Sequence, residues 1–388
     1  MDDLSDIVQS IRRGNATINY CIDYLERGDV AEEVGKAIHE TNTVQSLTLT
    51  CVEKTHLSLS GIHTLGTAIG SSGSILSLSF NSIAFSLESF QRLFAGLAAN
   101  NTISSLTFHI SPLSFEHVEI LADYLRHNTA LKELALRNVQ IDNRGTATLV
   151  KGLSEGLSQV EKLNLSDNSI TDMGISTLSL LLDSKPFLKS LTLVRTKCGA
   201  EGFKTFTSAL ALNQGLEEVR LSLPRQGIDK QSLENFGTMF TKNQTLKLLW
   251  FEDGKLMHIH SLAIGLANSQ SLKTLGLVSV HIDDESVRVL MELLNGNCVL
   301  KELNLSWNHI SDLGASYLAE HLKRQNQCLA SLDLTQNSIG DQGAEMISTA
   351  LRMNSTLKFL SLASNRIGAT GANALARSLQ ENKSLQTL

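Results

Sequence analysis

Three stretches of this 388-residue chain carry side chains that could do chemistry. His258-Ile259-His260 would put two imidazoles on one face of an extended segment. A zinc site needs more ligands than two, and no cysteine or carboxylate stands at ligand spacing, so the pair reads as surface or packing. Asp283-Asp284-Glu285 offers three carboxylates to a cation. The triplet falls at the expected start of a helix, where acidic groups satisfy free N–H groups and the helix dipole, and that role is preferred. The glycines of GIHTLGTAIGSSG, residues 61–73, have the content of a phosphate loop but neither its lysine nor its preceding strand. Ser, His and Asp are plentiful but lie in different segments without an ordered triad signature. The sequence therefore predicts no catalytic residue, no metal ligand and no cofactor.

The elements that would position such groups follow from a repeat. The frame L-x-x-L-x-L begins at Val44, Ile75, Ile103, Leu131, Val160, Leu188, Leu216, Leu246, Leu272, Leu300, Leu329 and Leu357, and starts again at Leu385. The steps run from 26 to 31 residues and are most irregular between Leu216 and Leu272. All 36 frame positions of the twelve complete copies are apolar, which at 42% overall hydrophobicity has a chance probability on the order of 10⁻¹⁴. The L-x-L core alternates, as a strand with one buried face does. Further on the apolar spacing becomes three and four, as in Ile175, Leu178, Leu181 and Leu182, which marks an amphipathic helix. Each copy thus predicts strand, loop, helix, loop. Strands pair about 4.8 Å apart whereas packed helices need about 8–10 Å, so the stack must curve toward its strands. The expected fold is an α/β solenoid, a horseshoe with a parallel β-sheet on its concave face and α-helices on its convex face.

Asp172, Asp284, Asp312 and Asp341 stand at the expected helix starts and should accept from those helices' own N–H groups. Asn100, Asn128, Asn213, Asn243, Asn297, Asn326, Asn354 and Asn382 lie three residues before the next frame, where asparagine tolerates the left-handed conformation that commonly ends a helix. Residues 1–43 are expected to form a helical cap: Leu4, Ile7, Val8 and Ile11 keep helical spacing, and Asp29-Val-Ala-Glu32 reads as a capping box opening a second helix. IRRGNATINYCIDYLERGD, between them, reads as a degenerate repeat. Residues 44–384 hold the twelve repeats, and 385–388 open a thirteenth without a polar terminal cap, so the natural chain is expected to continue.

Net charge is −6 and no block of Lys and Arg occurs, which argues against nucleic acid or an anionic membrane as partner. No apolar run approaches the roughly 18 residues of a spanning helix. MDDLSDIVQS lacks the plan of a secretory signal, and five scattered cysteines make no disulfide framework, so a cytoplasmic setting is expected. Cys198 occupies a place held by Ile in sibling copies and should be buried; a bridge between Cys298 and Cys328, in neighbouring loops, is not expected. The Asn-x-Ser/Thr triplets at Asn100, Asn243 and Asn354 read as caps rather than glycan sites.

The segments LNLSDNSITDMGISTLSLLL, LNLSWNHISDLGASYLAEHL, LDLTQNSIGDQGAEMISTAL and LSLASNRIGATGANALARSL resemble the ribonuclease-inhibitor-like subtype of leucine-rich repeat, found also in NOD-like receptors and in the Ran GTPase-activating protein. Asn168, Asn308, Asn337 and Asn365 match that subtype's loop asparagine, and Gly174, Gly314, Gly343 and Gly371 its helix-opening glycine. The likeness spans about residues 44–388 and is strongest after residue 300, where NSTLKFLSLASNRIGATGANALA looks like NOD-like receptor repeats. It implies a leucine-rich-repeat solenoid that binds proteins without catalysis. The chain departs from its relatives in having few cysteines, no G-x-x-x-x-G-K-[ST] and no acidic tail, and other copies replace the asparagine with Val139, Thr196, Pro224, Gly254 or Val280.

Counted from each frame residue, positions two, four and six later should face the concave side, and the seventh should sit at the strand's exit. Early copies are bland there, with Ser46, Thr48, Ser77, Ser79 and Ser105. The middle copies change to Arg137, Arg195, Arg220, Trp250, Glu252 and Asp253, and Trp307 follows at an exit where siblings carry Asp167, Gln336 and Ser364. Tryptophan and arginine dominate protein-binding hot spots. The expected function is a non-catalytic scaffold or sensor binding a protein partner through these residues. The alternative is a GTPase regulator similar to the Ran activator, with a small GTPase as partner.

Overall fold

The computed structural model describes residues 4–21, 29–51, 59–184, 187–224, 226–228, 230–256, 259–295, 297, 299–323 and 328–388. The chain divides into two compact units, Met1–Lys197 and Cys198–Leu388. In the first, helices α1 (Leu4–Arg12), α2 (Asp29–Thr41), α3 (Leu59–Ser71), α4 (Leu87–Leu97), α5 (Phe115–His127), α6 (Asn143–Glu155) and α7 (Asp172–Ser184) alternate with strands β1 (Thr17–Cys21), β2 (Ser46–Thr50), β3 (Ser77–Asn81), β4 (Ser105–His109), β5 (Glu133–Arg137), β6 (Lys162–Asn164) and β7 (Ser190–Leu193). The second unit continues the alternation through α8 (Ala200–Leu212), α9 (Lys230–Lys242), α10 (Ile259–Ala267), α11 (Asp284–Leu293), α12 (Asp312–Lys323), α13 (Asp341–Met353) and α14 (Ala369–Glu381). Its strands are β8 (Glu218–Leu221), β9 (Leu248–Glu252), β10 (Thr274–Val278), β11 (Glu302–Asn304), β12 (Ser331–Asp333) and β13 (Phe359–Ser361). In each unit every strand pairs in parallel with the next in sequence, so each connection passes through a helix.

The frame is the core. Of its 36 residues 35 are buried, Leu362 being half-buried. Larger side chains widen the core locally. Phe80, Phe90, Phe94 and Phe108 pack together in the first unit and Phe203, Phe236 and Phe251 in the second. The degenerate segment forms β1, paired with β2 from Thr17↔Ser46 to Cys21↔Thr50. The side chains of Asp29 and Glu32 lie outside the described residues, as do Asn326 and Cys298.

Two cap expectations are corrected. The asparagines before the frames are extended, not left-handed: Asn128 has φ −86° and ψ 129°, Asn213 φ −68°, Asn354 φ −86° and Asn382 φ −71°. Their amides join copies instead. Asn100 Oδ1 accepts from Thr102 N and Ile103 N, while its Nδ2 donates to Ile69 O and Ser72 O at the end of the preceding helix. Asn243 repeats the pattern with Leu210 O and Asn213 O, and Asn382 with Leu351 O and Asn354 O. Buried carbonyls at a helix end need such donors, and an extended asparagine reaches them while a left-handed one would turn its backbone away.

The aspartates are likewise first residues of their helices, and Asp284, Asp312 and Asp341 serve the next copy. Asp284 Oδ1 accepts from Ser311 N (2.8 Å) and Gly314 N (2.9 Å). Asp312 accepts from Gly340 N and Gly343 N, and Asp341 from Gly368 N and Gly371 N. Asn143 does the same for Thr171 and Gly174. This explains the helix-opening glycine: a Cβ on Gly314 would stand 2.5 Å from Asp284 Oδ1.

Candidate functional site

The sheet of each unit shows one face to the helices and leaves the other open. Alternation places positions two, four and six of each copy on the open face, because the frame residues between them are buried. At position seven the backbone turns left-handed: Ser82, Ile110, Asn138, Asp167 and Arg195 in the first unit and Asp253, Ser279, Trp307, Gln336 and Ser364 in the second have φ between 52° and 63°. The N–H there still donates to the next copy just beyond its strand, as from Asp167 N to Val194 O and from Trp307 N to Thr335 O. The loop then departs. Its bend is held by the loop asparagine: Asn168 Oδ1 accepts from Val139 N and Ile141 N while Nδ2 donates to Leu136 O and Leu165 O. Asn308 makes the equivalent four contacts in the second unit. Ser111 stands in for it in one copy, bonded to Ile83 N and Phe80 O.

On the first unit's open face opposite charges meet across copies. Lys162 pairs with Glu133. Arg195 grips Asp167 with Nε to Oδ1 at 2.5 Å and Nη2 to Oδ2 at 3.1 Å. Arg137 ends β5 beside His109 of β4 and is half-buried. Burial, then the Arg137 charge, holds the His109 imidazole below the usual histidine range, against a smaller opposing pull from Asp167.

On the second unit's open face Arg220 and Trp250 are register partners on β8 and β9, the guanidinium carbon 4.8 Å from the ring centroid. Trp250 also lies against β10, where its partner is Gly276; a Cβ there would stand 2.3 Å from the indole. Its half-buried indole therefore lies over the neighbouring copy. Glu252 and Asp253 follow it, both half-buried. Trp307 differs: it is 59% exposed, and among the described residues no aromatic ring or cation packs on its indole. An L-residue in the left-handed region costs about 1–2 kcal/mol, which explains the small or polar siblings Asp167, Gln336 and Ser364 at this turn. Beyond the same exits His281 Nδ1 and His309 Nε2 approach to 3.1 Å, a pairing the sequence reading missed although both stand nine residues into their copies.

The other chemical candidates settle into structural roles. Asp283 caps α11 by accepting from Ser286 N, Asp284 bridges to the next helix, and Glu285 pairs with Arg288. Accepting from Ser286 keeps Asp283 below the usual carboxylate range. The glycines of residues 61–71 lie on α3. His260 is exposed on α10, and His258 lies outside the described residues. Among the described residues no three His, Cys, Asp or Glu side chains form a metal-binding group, and no helix is long and apolar enough to cross a membrane. Cys198 corrects the sequence reading. It is half-buried, its thiol turned to Gly199 O at 3.4 Å, because sulfur is a weak donor that an isoleucine methyl is not. Unanticipated too is a cleft on the helical side of the first unit, lined by Phe94, Ala95, Ile120 and Tyr124. It opens beside α4, which has 11 residues against 13 in α3 and α5. Burial pushes the Tyr124 phenol up to about 12.

The family model described as Leucine Rich repeat matches residues 159–179, 296–319, 325–348 and 354–376. Those four segments match leucine-rich repeats. The chain is 29% identical to the ribonuclease inhibitor of Sus scrofa over 271 residues, covering 62% of this chain and 59% of that one. It is 27% identical to NACHT, LRR and PYD domains-containing protein 12 of Mus musculus over 270 residues, covering 67% of this chain and 25% of the relative. The chain thus spans about three-fifths of the first relative and a quarter of the second. Yeast Rad7, solved in complex with Elc1, shares the fold with a TM-score of 0.57 and 16% identity, covering 100% of this chain and 88% of that one. The leucine-rich-repeat fold of the sequence reading, parallel strands each joined to the next through a helix, is thus observed in each unit. Proteins of this repeat class generally mediate protein–protein interaction and are typically non-catalytic.

Proposed function

We propose that this protein is a non-catalytic, cytoplasmic scaffold or sensor module that binds a protein partner on the open, concave face of its sheets. Trp307 carries the proposal: a large indole, 59% exposed, is held in a backbone conformation that most of its siblings, Ile110 apart, fill with small or polar residues. Covering that indole with a partner recovers apolar burial that the chain itself does not provide. Trp250, stacked with Arg220 and flanked by Glu252 and Asp253, offers a second contact in the same unit, while Arg137 and Arg195 offer contacts in the first. Rigid strands present these groups with little backbone ordering cost on binding.

The test is affinity capture with identification by mass spectrometry, comparing wild type with Trp307→Ser and with Trp250→Ser/Arg220→Glu, each first shown to be folded. A partner bound by wild type should be weakened by about 2 kcal/mol or more at a hot-spot tryptophan. Equal capture by all three proteins removes the open face as the reader. Acceleration of GTP hydrolysis by a captured small GTPase would replace the scaffold reading with a regulator.

A further inference from the structure

On the open face of the first unit Arg137 stands, among the described residues, as a charge without an ion-pair partner. Its Nε is buried and has no hydrogen-bond partner. Its neighbours are matched. Glu133, on the same strand, pairs with Lys162, and Arg195 is held by both oxygens of Asp167. The guanidinium therefore carries a charge that the described residues of this chain do not compensate, and its terminal nitrogens are the part an acceptor can reach. With His109 neutral, the charges of Arg137, Arg195 and Asp167 sum to one positive charge at the exits of β4 to β7.

We infer that Arg137 is a carboxylate-binding site, which receives an aspartate or glutamate side chain of the partner protein between β4 and β6. The inference rests on the reading of the open face as a protein-binding surface and specifies its chemistry in the first unit. The two terminal nitrogens of the guanidinium, which are not buried as Nε is, form an edge that matches a planar carboxylate with two parallel hydrogen bonds. A phosphate dianion fits less well: it calls for a second cation, and Arg195, at the exit of β7, is bound to Asp167 while Lys162 is bound to Glu133. His109, the register partner of Arg137, adds a hydrogen-bonding ring at the rim without adding charge at neutral pH.

The test uses a fluorescein-labelled peptide of alternating glutamate and glycine, with binding read by anisotropy at low ionic strength. Wild type should bind, Arg137→Gln should bind at least about tenfold more weakly, and Arg137→Lys should fall between them, since lysine keeps the charge but not the planar fork. Asp167→Asn keeps a residue tolerant of φ 63° and releases Arg195, so it should tighten binding by about threefold, a change that misfolding would not produce. Equal binding by wild type and Arg137→Gln, or no binding by wild type, overturns the assignment. Inorganic phosphate displacing the peptide better than acetate at equal concentration overturns the choice of carboxylate. The probe is synthetic, so its result is independent of natural capture. Peptide binding at Arg137 with no protein captured would leave the carboxylate site standing and remove the scaffold reading.

Discussion

In the first unit the open face carries small hydroxyls on β2 to β4 and then charges that largely cancel: Glu133 with Lys162, Asp167 with Arg195, and Arg137 left over. In the second unit the corresponding positions hold Glu218, Glu252, Asp253, Glu302 and Asp333 against the one cation Arg220, together with Trp250. Beneath both faces the frame leucines, the loop asparagines and the helix-joining carboxylates or amides repeat with the same bonds. The face is therefore a free variable written on a fixed scaffold. Its side chains pack into no core, and their cost or benefit is decided between adjacent strands and by whatever covers them.

That separation is most severely tested by removing the same scaffold group from both units. Asn168→Ala and Asn308→Ala each strip two acceptor and two donor contacts from a buried loop. Each unsatisfied buried group costs about 1–3 kcal/mol, of which backbone relaxation recovers part, so each variant should lose about 2–4 kcal/mol in urea unfolding. The losses should agree between units despite their different faces. A large loss in one unit and none in the other would mean that the scaffold is not equivalent in the two.

A smaller effect belongs to the second unit alone. Gly276→Ala adds a methyl group where the Trp250 indole lies, at 2.3 Å from its nearest ring atoms. The indole must lift toward solvent and leave Arg220, at an overpacking cost of about 1–3 kcal/mol. Both tryptophans lie in this unit, so in a Trp307→Phe background the emission reports Trp250 by itself. It should move to longer wavelength on Gly276→Ala. Unchanged emission would show that the indole does not rest on β10.

How much of this could be read from one strand of letters depends on the span of each contact. The frame, the switch from period two to helical spacing and the outward positions were readable, since each is a pattern within one copy, and the positions of Trp250 and Trp307 followed. What failed was contact between copies. Asp284, Asp312 and Asp341 look like caps of their own helices until the next copy's glycine is placed beside them. Asn100 and its equivalents look like left-handed helix ends until the preceding helix supplies carbonyls. Aligning copies at a shift of one repeat would have set Trp250 beside Gly276 and Lys162 beside Glu133. The buried Nε of Arg137 depends on side-chain packing that no periodicity encodes.

The smallest expected difference between the units is one of acidity, and its sign follows from His117. This histidine takes the third position of the α5 capping box, its Nδ1 accepting from Ser114 N at 3.1 Å, and is 6% exposed. Burial lowers its pKa from 6.5, and His109 in the same unit shifts the same way for the same leading cause. The unfolded chain therefore binds protons first as pH falls below about 6.5, and the folded state loses stability from there until its own, lower pKa values are passed. In the second unit the lowered groups are the carboxylates of Asp283 and Glu285, whose stabilising contribution is retained until pH falls below their ordinary values of 3.8 and 4.5. Between pH 7 and pH 5, hydrogen exchange should consequently lose protection in α5 and its neighbours before the second unit is affected, once intrinsic exchange rates are corrected for pH. His117→Gln retains an acceptor for Ser114 N, since glutamine serves at this position of a capping box, but it removes the titration. It should reduce the pH dependence of α5 while leaving its protection at pH 7 close to wild type, with the part due to His109 remaining. An undiminished pH dependence would assign the acid sensitivity of this unit to His109 and its charged neighbours on the open face.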